Sequence, residues 1–388
     1  MSISLCNFEN FMAGLYIHIP FCRRACYYCN FHFSVNLSRM KDMLQAIALE
    51  AQTEAPAWSD VVFNSLYLGG GTPSLIPPDD LIDLLSALKK EFRFAADAEF
   101  TLEANPDDVS AEKATGWKAA GINRASLGIQ SFSDEELTWM NRAHQASQSE
   151  VALDALLSAG IASVNVDLIY GSPLLSDEAW RESLRRVFAG GADHLSAYAL
   201  TLEADTPYKK LVQQGKYPAP DEERQARHFD MLLDEAAAAG WEHYEISNLC
   251  RPGKRARHNS AYWHNEAYLG LGPAAHSHEG NRRWWNVSDN LQYLKQAESG
   301  NWERGSELLT PAGKLNEFLM THIRLMEGLN LQAAEQMLPG FSETRMSALL
   351  EFEAKGWAFL QEDVFRLSKK GKHYADAIAS ALMEVEED

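Results

Sequence analysis

The sequence predicts an α/β chain, a partial (β/α)6 barrel followed by a small C-terminal winged-helix-like α+β domain. Three observations carry this. Six short β-rich runs alternate with longer amphipathic stretches through the first half of the chain. The glycines and the unusual polar residues fall at the C-terminal ends of those runs. Near Thr310-Pro311 the alternation gives way to three helical stretches and a strand pair. Repeated strand–helix units imply right-handed crossovers and a parallel sheet, with chemistry at the C-terminal ends of the strands.

Taken in order, the predicted strands cover residues 15–19, 65–68, 99–103, 124–129, 163–169 and 194–200. Helices are expected at about 39–54, 79–91, 108–120, 147–160 and 177–189, each with apolar residues near helical spacing. In the second, Asp79 can cap, Leu81, Leu84, Leu85 and Leu88 share a face, and Lys89 and Lys90 close the last turn. Cys22 then follows the first strand, Gly69–Gly71 the second, Glu103 ends the third, Gln130 the fourth, and Asp167 lies late in the fifth. A strand at 243–246 and an aromatic, Gly-rich stretch at 262–285 come next. Helices at about 311–325, 331–337 and 342–355 and a strand pair across 357–367 complete the chain. The expected division is an N-terminal extension (1–12), the barrel (13–240), a barrel extension (241–305) and the winged-helix-like domain (306–388).

Thirty-five Lys and Arg against 54 Asp and Glu leave a net charge of −19 in 388 residues, which argues against a general nucleic-acid binder. The one dense basic run, RPGKRAR at 251–257, reads as a solvated loop. The C-terminal segment 311–388 holds 8 basic and 13 acidic residues, so a lid or docking module suits it better than DNA binding. No apolar run approaches the ~18–20 residues of a membrane span. The first residues lack the pattern of a secretory signal, so a cytoplasmic protein is expected.

Five cysteines are too few for a disulfide scaffold, and three of them cluster as Cys22-Arg-Arg-Ala-Cys26-Tyr-Tyr-Cys29 in a loop after a strand. A [4Fe–4S] cube takes one thiolate per iron, so three thiolates leave one iron open to a chelating small molecule. S-adenosylmethionine chelates in this way through its amino and carboxylate groups, and electron transfer from the cube then cleaves its C–S bond. The alternative is a zinc site completed by His18 or His32, although no second ligand pair is present.

The stretch YIHIPFCRRACYYCNF (16–31) resembles the radical S-adenosylmethionine (SAM) superfamily, and within it the branch of oxygen-independent coproporphyrinogen III oxidase and its relatives. The likeness extends through LGGGTP (68–73), TLEANP (101–106), SLGIQSF (126–132), VDLIYGSP (166–173), YEISN (244–248) and YLGLGPAAH (268–276). It implies a radical SAM barrel with a [4Fe–4S] cluster on Cys22, Cys26 and Cys29. It further implies that Gly70, Gly71 and Thr72 meet the methionine end of SAM, that Tyr16 and Tyr28 flank it, and that Glu103, Gln130, Arg142 and Asp167 surround its polar groups.

Two departures from the oxidase pattern point to a different branch. Oxidases carry a further cysteine two positions after the third, where this chain has Phe31, and they have a longer N-terminal segment. Here Met12 resembles the usual start of the shorter relatives, which makes residues 1–11, with Cys6, an extension or a misplaced start. Asn30 stands where those relatives commonly have Asp. The shorter relatives are HemW-type heme chaperones, which carry H-N-x-x-Y-W; the matching residues are His258, Asn259, Tyr262 and Trp263. Imidazole is a usual axial ligand of heme iron and aromatic rings line porphyrin faces, so His258 is the first candidate for heme contact. His264, His276, His278 and Cys250 are alternatives.

The resemblance implies heme binding and delivery to heme-accepting respiratory proteins, with peripheral membrane contact. It also implies an electron donor of flavodoxin, ferredoxin or NADH-linked type, and no coproporphyrinogen oxidase activity. The alternative readings are oxidative decarboxylation of coproporphyrinogen III propionates and radical chemistry on another substrate.

Overall fold

The computed structural model describes residues 12–384, so residues 1–11, with Cys6, and 385–388 lie outside the described residues. Twelve strands form one sheet: β1 (Met12–Ile19), β2 (Val62–Gly70), β3 (Arg93–Ala104), β4 (Arg124–Gln130), β5 (Ser163–Tyr170), β6 (His194–Ala199), β7 (Glu242–Glu245), β8 (Asn248–Cys250), β9 (Ala267–Leu271), β10 (His276–Glu279), β11 (Arg282–Asn286) and β12 (Arg304–Leu308). Their spatial order is β12-β11-β10-β9-β1-β2-β3-β4-β5-β6-β8-β7. β1 through β6 pair in parallel with their neighbours, as the strand–helix alternation predicts. A seventh parallel strand, β9, lies beside β1, Leu15 opposite Leu269. It comes from the Gly-rich stretch, where the sequence shows no clean strand pattern. Antiparallel strands extend both ends of the sheet.

Side-chain alternation along each strand separates two environments. On β1, Ala13, Leu15, Ile17 and Ile19 are fully buried under the helices, while Tyr16 and His18 point to the opposite, inner face. Helices Met40–Glu54, Pro78–Glu91, Ala111–Ala120, Ala146–Ser158 and Asp177–Ala189 cover the apolar face close to the expected positions. In the second of these, Leu81, Leu84, Leu85 and Leu88 are all buried, each worth about 1.5–3 kcal/mol of apolar transfer. Asp79 sits in that helix's first turn rather than at its cap, because Pro78 already starts the helix from Pro77. Helices Asp134–Trp139, Pro207–Gln213 and Glu222–Ala238 were not anticipated.

Helices Pro311–His322, Leu331–Met337 and Phe341–Ala354 gather around a second apolar cluster that includes Leu315, Leu319, Leu349 and Phe365. Strands β13 (Leu329–Asn330), β14 (Ala358–Gln361) and β15 (Val364–Leu367) form a small sheet in the order β13-β15-β14, and helix Ala375–Leu382 closes the cluster. This unit meets the large sheet where Arg255 bridges Glu242 at 2.7 Å and Glu327 at 2.6 Å, and where Met326 N donates to Tyr244 O at 2.9 Å. Among the described residues no helix is long and apolar enough to cross a membrane.

Candidate functional site

The three-cysteine loop leaves β1 and is fastened by backbone bonds to two other segments. Cys22 N donates to Ser34 O at 3.0 Å, and Tyr27 N donates to Met140 O at 3.1 Å. Asn141 Nδ2 donates to Ala25 O at 2.7 Å. All three cysteines are half-buried and free. Thr72 Oγ1 donates to Cys22 Sγ and Arg142 Nη1 to Cys26 Sγ, each at 3.4 Å. Donors aimed at sulfur are the outer-shell partners that ligating thiolates need. Burial, helped by the neighbouring loop cysteines, pushes the Cys22 thiol up to about 12 and the Cys29 thiol to about 11. Ionising Cys22 and Cys29 therefore calls for a strongly positive centre near their sulfurs, and an iron–sulfur cluster would supply one.

Of the two histidines offered to the zinc alternative, His18 has both ring nitrogens bonded. His18 Nε2 donates to His32 O at 2.9 Å while its Nδ1 accepts from Tyr16 Oη at 3.1 Å. His32 Nε2 is bonded to Asn290 Oδ1 at 2.7 Å. Among the described residues no group of three or more His, Cys, Asp and Glu side chains stands ready to hold a metal ion; the donors to the Cys22 and Cys26 sulfurs suit ligating thiolates.

The glycine turn is packed against this loop. Gly71 N donates to Ile19 O at 2.9 Å and Thr72 N to Phe21 O at 2.7 Å. Gly70 has φ +100°, and a Cβ there would lie 2.5 Å from the His18 ring. The amide of Gly71 is thus spent on the end of β1, while Thr72 faces Cys22.

Arg142 ties the site together. Besides Cys26, its guanidinium donates to Tyr28 Oη at 3.4 Å, Asn105 Oδ1 at 2.6 Å and Gly128 O at 2.7 Å. Asn105 in turn donates to Thr72 Oγ1 at 3.3 Å, which links the third strand's end to the glycine turn. Asn105 is a site residue that its place within TLEANP does not single out, although an Asn-Pro directly after a strand is a signal for one. Gln130 ends β4 in the left-handed region, φ 65°, an uncommon conformation for a side-chain-bearing residue that concentrates at functional sites. Its amide lies where a Cβ on Gly128 would be, 2.9 Å away.

Glu103 accepts from Tyr67 Oη at 2.7 Å, and burial raises its carboxyl to about 7 against the pull of that hydroxyl. Asp167 accepts from Ser126 Oγ at 3.0 Å and Asn165 Nδ2 at 2.6 Å, deeper in the inner face, where burial pushes its carboxyl up. Cys22, Cys26, Tyr28, Thr72 and Arg142 are brought together by direct contacts; Glu103 and Asp167 are held on the inner face by other partners.

The H-N-x-x-Y-W residues lie on helix Arg257–Trp263, whose first amides donate to Glu99, Arg257 N at 3.0 Å and His258 N at 3.1 Å. A carboxylate there suits the helix N-terminus. His258 is buried, with Nδ1 bonded to Ser65 Oγ and Nε2 to Tyr262 Oη, both at 2.9 Å. Its ring stacks on Tyr67 at 5.1 Å, and burial, with Arg124 nearby, drops its pKa to about 3. Both ring nitrogens are occupied within the fold, which bears on the expectation of heme contact there. Asn259 Nδ2 donates to Tyr244 Oη at 3.2 Å. The Trp263 indole N–H is buried without a partner among the described residues. Tyr262 reaches a cavity of about 780 Å³ lined also by Tyr16, His18, Asn30, Phe31, His32, Tyr268 and His276.

Sheet, cysteine loop and glycine turn together define a radical SAM protein. Residues 16–187 match the Radical SAM superfamily, and the chain aligns with the structure of coproporphyrinogen III oxidase (HemN) from Escherichia coli at a TM-score of 0.83, 23% identity, covering 97% of this chain and 90% of that one. That likeness shows the fold. The heme chaperone HemW of Mycobacterium tuberculosis is 35% identical over 95% of this chain and 94% of its own length. The HemW of Bacillus subtilis is 29% identical over 96% and 99%. A mouse mitochondrial radical S-adenosyl methionine domain-containing protein 1 is 38% identical over 68% of this chain and 60% of its own. The chain belongs to the HemW family of the radical SAM superfamily. Membership implies SAM and a [4Fe–4S] cluster as cofactors.

Proposed function

We propose that the chain is a heme chaperone, binding heme beside a SAM-chelating [4Fe–4S] cluster and passing it to respiratory hemoproteins at the membrane. The observation that carries this reading is the 780 Å³ cavity, whose lining joins three elements: the segment after the third cluster cysteine (Asn30, Phe31, His32), the first strand (Tyr16, His18) and the H-N-x-x-Y-W helix (Tyr262). Its volume falls in the range of ligand pockets, and rings with polar tips suit a flat apolar macrocycle. Phe31, 66% exposed at the cavity, offers apolar surface where the oxidases place a cysteine.

Within this reading Cys22, Cys26 and Cys29 hold the cluster, which supplies an electron and an open iron when bound. Thr72 and Arg142 orient two of the sulfurs, Arg142 through a fork that fixes Tyr28 and Asn105 as well. Gly70, Gly71 and Gln130 shape the methionine side, while Glu103 and Asp167 offer carboxylates to hydroxyl and amino groups. Tyr262, its hydroxyl held by His258, forms part of the heme wall, with Asn259 securing the helix behind it. The electron donor is a flavodoxin, ferredoxin or NADH-linked protein.

The test is transfer. Heme-loaded protein is mixed with vesicles containing a heme-depleted respiratory cytochrome, and the acceptor's absorption is followed with and without SAM and reductant. Recovery of the cytochrome spectrum is expected. Anaerobic conversion of coproporphyrinogen III to protoporphyrinogen IX would instead establish the oxidase reading.

A further inference from the structure

We propose that His276 supplies the axial imidazole to heme iron in this cavity, and that His258 acts as a strut holding the cavity wall. The inference rests on the heme-binding reading above and deepens it by naming the iron ligand.

Four histidines on or beside the cavity compete for the role, and their hydrogen bonds separate them. His18 and His258 have both ring nitrogens bonded within the protein. His32 is tied through Nε2 to Asn290 at 2.7 Å, which leaves Nδ1 as its one unbonded ring nitrogen and fixes the ring toward Asn290, whereas both nitrogens of His276 are unbonded among the described residues. His276 makes no ring hydrogen bond among the described residues, lies exposed, and lines the cavity. An iron ligand needs a free, neutral imidazole nitrogen that reaches open space. Partial burial and the nearby Arg283 lower the His276 pKa, which keeps the ring neutral at physiological pH.

The ring is also held in place. His276 on β10 is paired directly with Trp285 on β11, and the two rings stack at 5.7 Å with 27° between planes. Trp285 in turn is paired with Gly305 on β12, and a Cβ there would fall 2.3 Å from the indole. The missing side chain lets the indole lie across β12 and support the imidazole from behind, a cross-strand stack of the kind that fixes side-chain direction. At the start of the same short hairpin Ala274, another cavity-lining residue, is held in the left-handed region with φ 60°. Apolar faces for the macrocycle come from Phe31, Tyr262 and Tyr268.

The experiment is a titration of the full-length chain with ferric heme, followed by absorption and low-temperature electron paramagnetic resonance. The wild type is expected to bind saturably with an imidazole-ligated spectrum. His276→Ala should lose that spectrum and weaken binding by roughly tenfold or more, with added imidazole restoring the wild-type bands. His276→Tyr, whose fold is checked by circular dichroism, should show phenolate ligation instead. His264→Ala, exposed and outside the cavity lining, should retain the wild-type spectrum. Retention of the wild-type spectrum and affinity in His276→Ala would overturn the assignment while leaving the chaperone reading standing. Failure of the wild type to bind heme would overturn both.

Discussion

Replacing Gly71 by alanine should cost the protein its cluster more than its fold. A Cβ at this position would lie 2.6 Å from Phe21 O, 2.7 Å from Ile19 O and 2.7 Å from Phe21 N. Every obstacle is backbone, so no side-chain rotation relieves the clash, and the turn must withdraw by about 0.4 Å to reach even the 3.0 Å limit. Withdrawal stretches Gly71 N–Ile19 O and Thr72 N–Phe21 O, the two bonds that dock the glycine turn on the end of β1 and the cysteine loop. Two such bonds are worth about 1 kcal/mol each, and forced overpacking costs about 1–3 kcal/mol. A loss of up to about 3–5 kcal/mol concentrated beside Cys22 follows from those terms. The assay is iron and sulfide per chain after anaerobic reconstitution, together with thermal unfolding. Gly71→Ala should hold less than half the wild-type iron. Gly160→Ala, strained by φ +78° but with nothing near its Cβ, should keep full iron while losing about 1–2 kcal/mol of stability. Full iron and an unchanged Tm in Gly71→Ala would refute the proposed coupling between turn and cluster.

Three further outcomes are expected. With the Glu103 carboxyl at about 7 when folded against 4.5 when free, the folded state retains a proton that the unfolded state releases. The associated stability is present below pH 4.5 and lost as pH rises to 7, so the cluster-free protein should be less stable at pH 8 than at pH 5 by at most about 3 kcal/mol. Partial solvent access reduces this figure, and Glu103→Gln should flatten the profile in urea melts. Arg142→Lys cannot span Cys26, Tyr28, Asn105 and Gly128 with one ammonium, so it should lose about 3 kcal/mol of stability and lower the cluster's midpoint potential in a redox titration. Cys250→Ser should leave iron content unchanged while costing about 1–3 kcal/mol, because Cys250 is buried in β8 with its thiol raised to about 12 and its sulfur facing Glu242.

The parts legible in the sequence were those written locally. The C-x-x-x-C-x-x-C spacing, the glycine triplet after a strand, and the helix carrying Leu81, Leu84, Leu85 and Leu88 each announce themselves within a dozen residues. β9 did not, because Ala267–Leu271 is a short run inside a Gly-rich stretch and becomes a strand only by pairing with β1. The helix Glu222–Ala238 carries a mixed charged face that obscured its buried Phe229, Leu232 and Leu233. Contacts between distant segments were hidden altogether. His258 reads as a free ligand until Ser65, 193 residues away, takes one nitrogen. Tyr67 beneath Glu103 and Trp285 behind His276 are likewise products of strand pairing rather than of any motif, and Asn105, although inside TLEANP, meets Thr72 and Arg142 only where the sheet brings separate loops together.

Electron paramagnetic resonance of the anaerobically reconstituted, reduced protein, recorded before and after adding SAM, addresses the central claim most directly. Three thiolates and one open iron predict about four irons and four sulfides per chain, with a signal that shifts when SAM chelates the unoccupied corner. One tetrahedral zinc per chain, or a cluster signal indifferent to SAM, would contradict it.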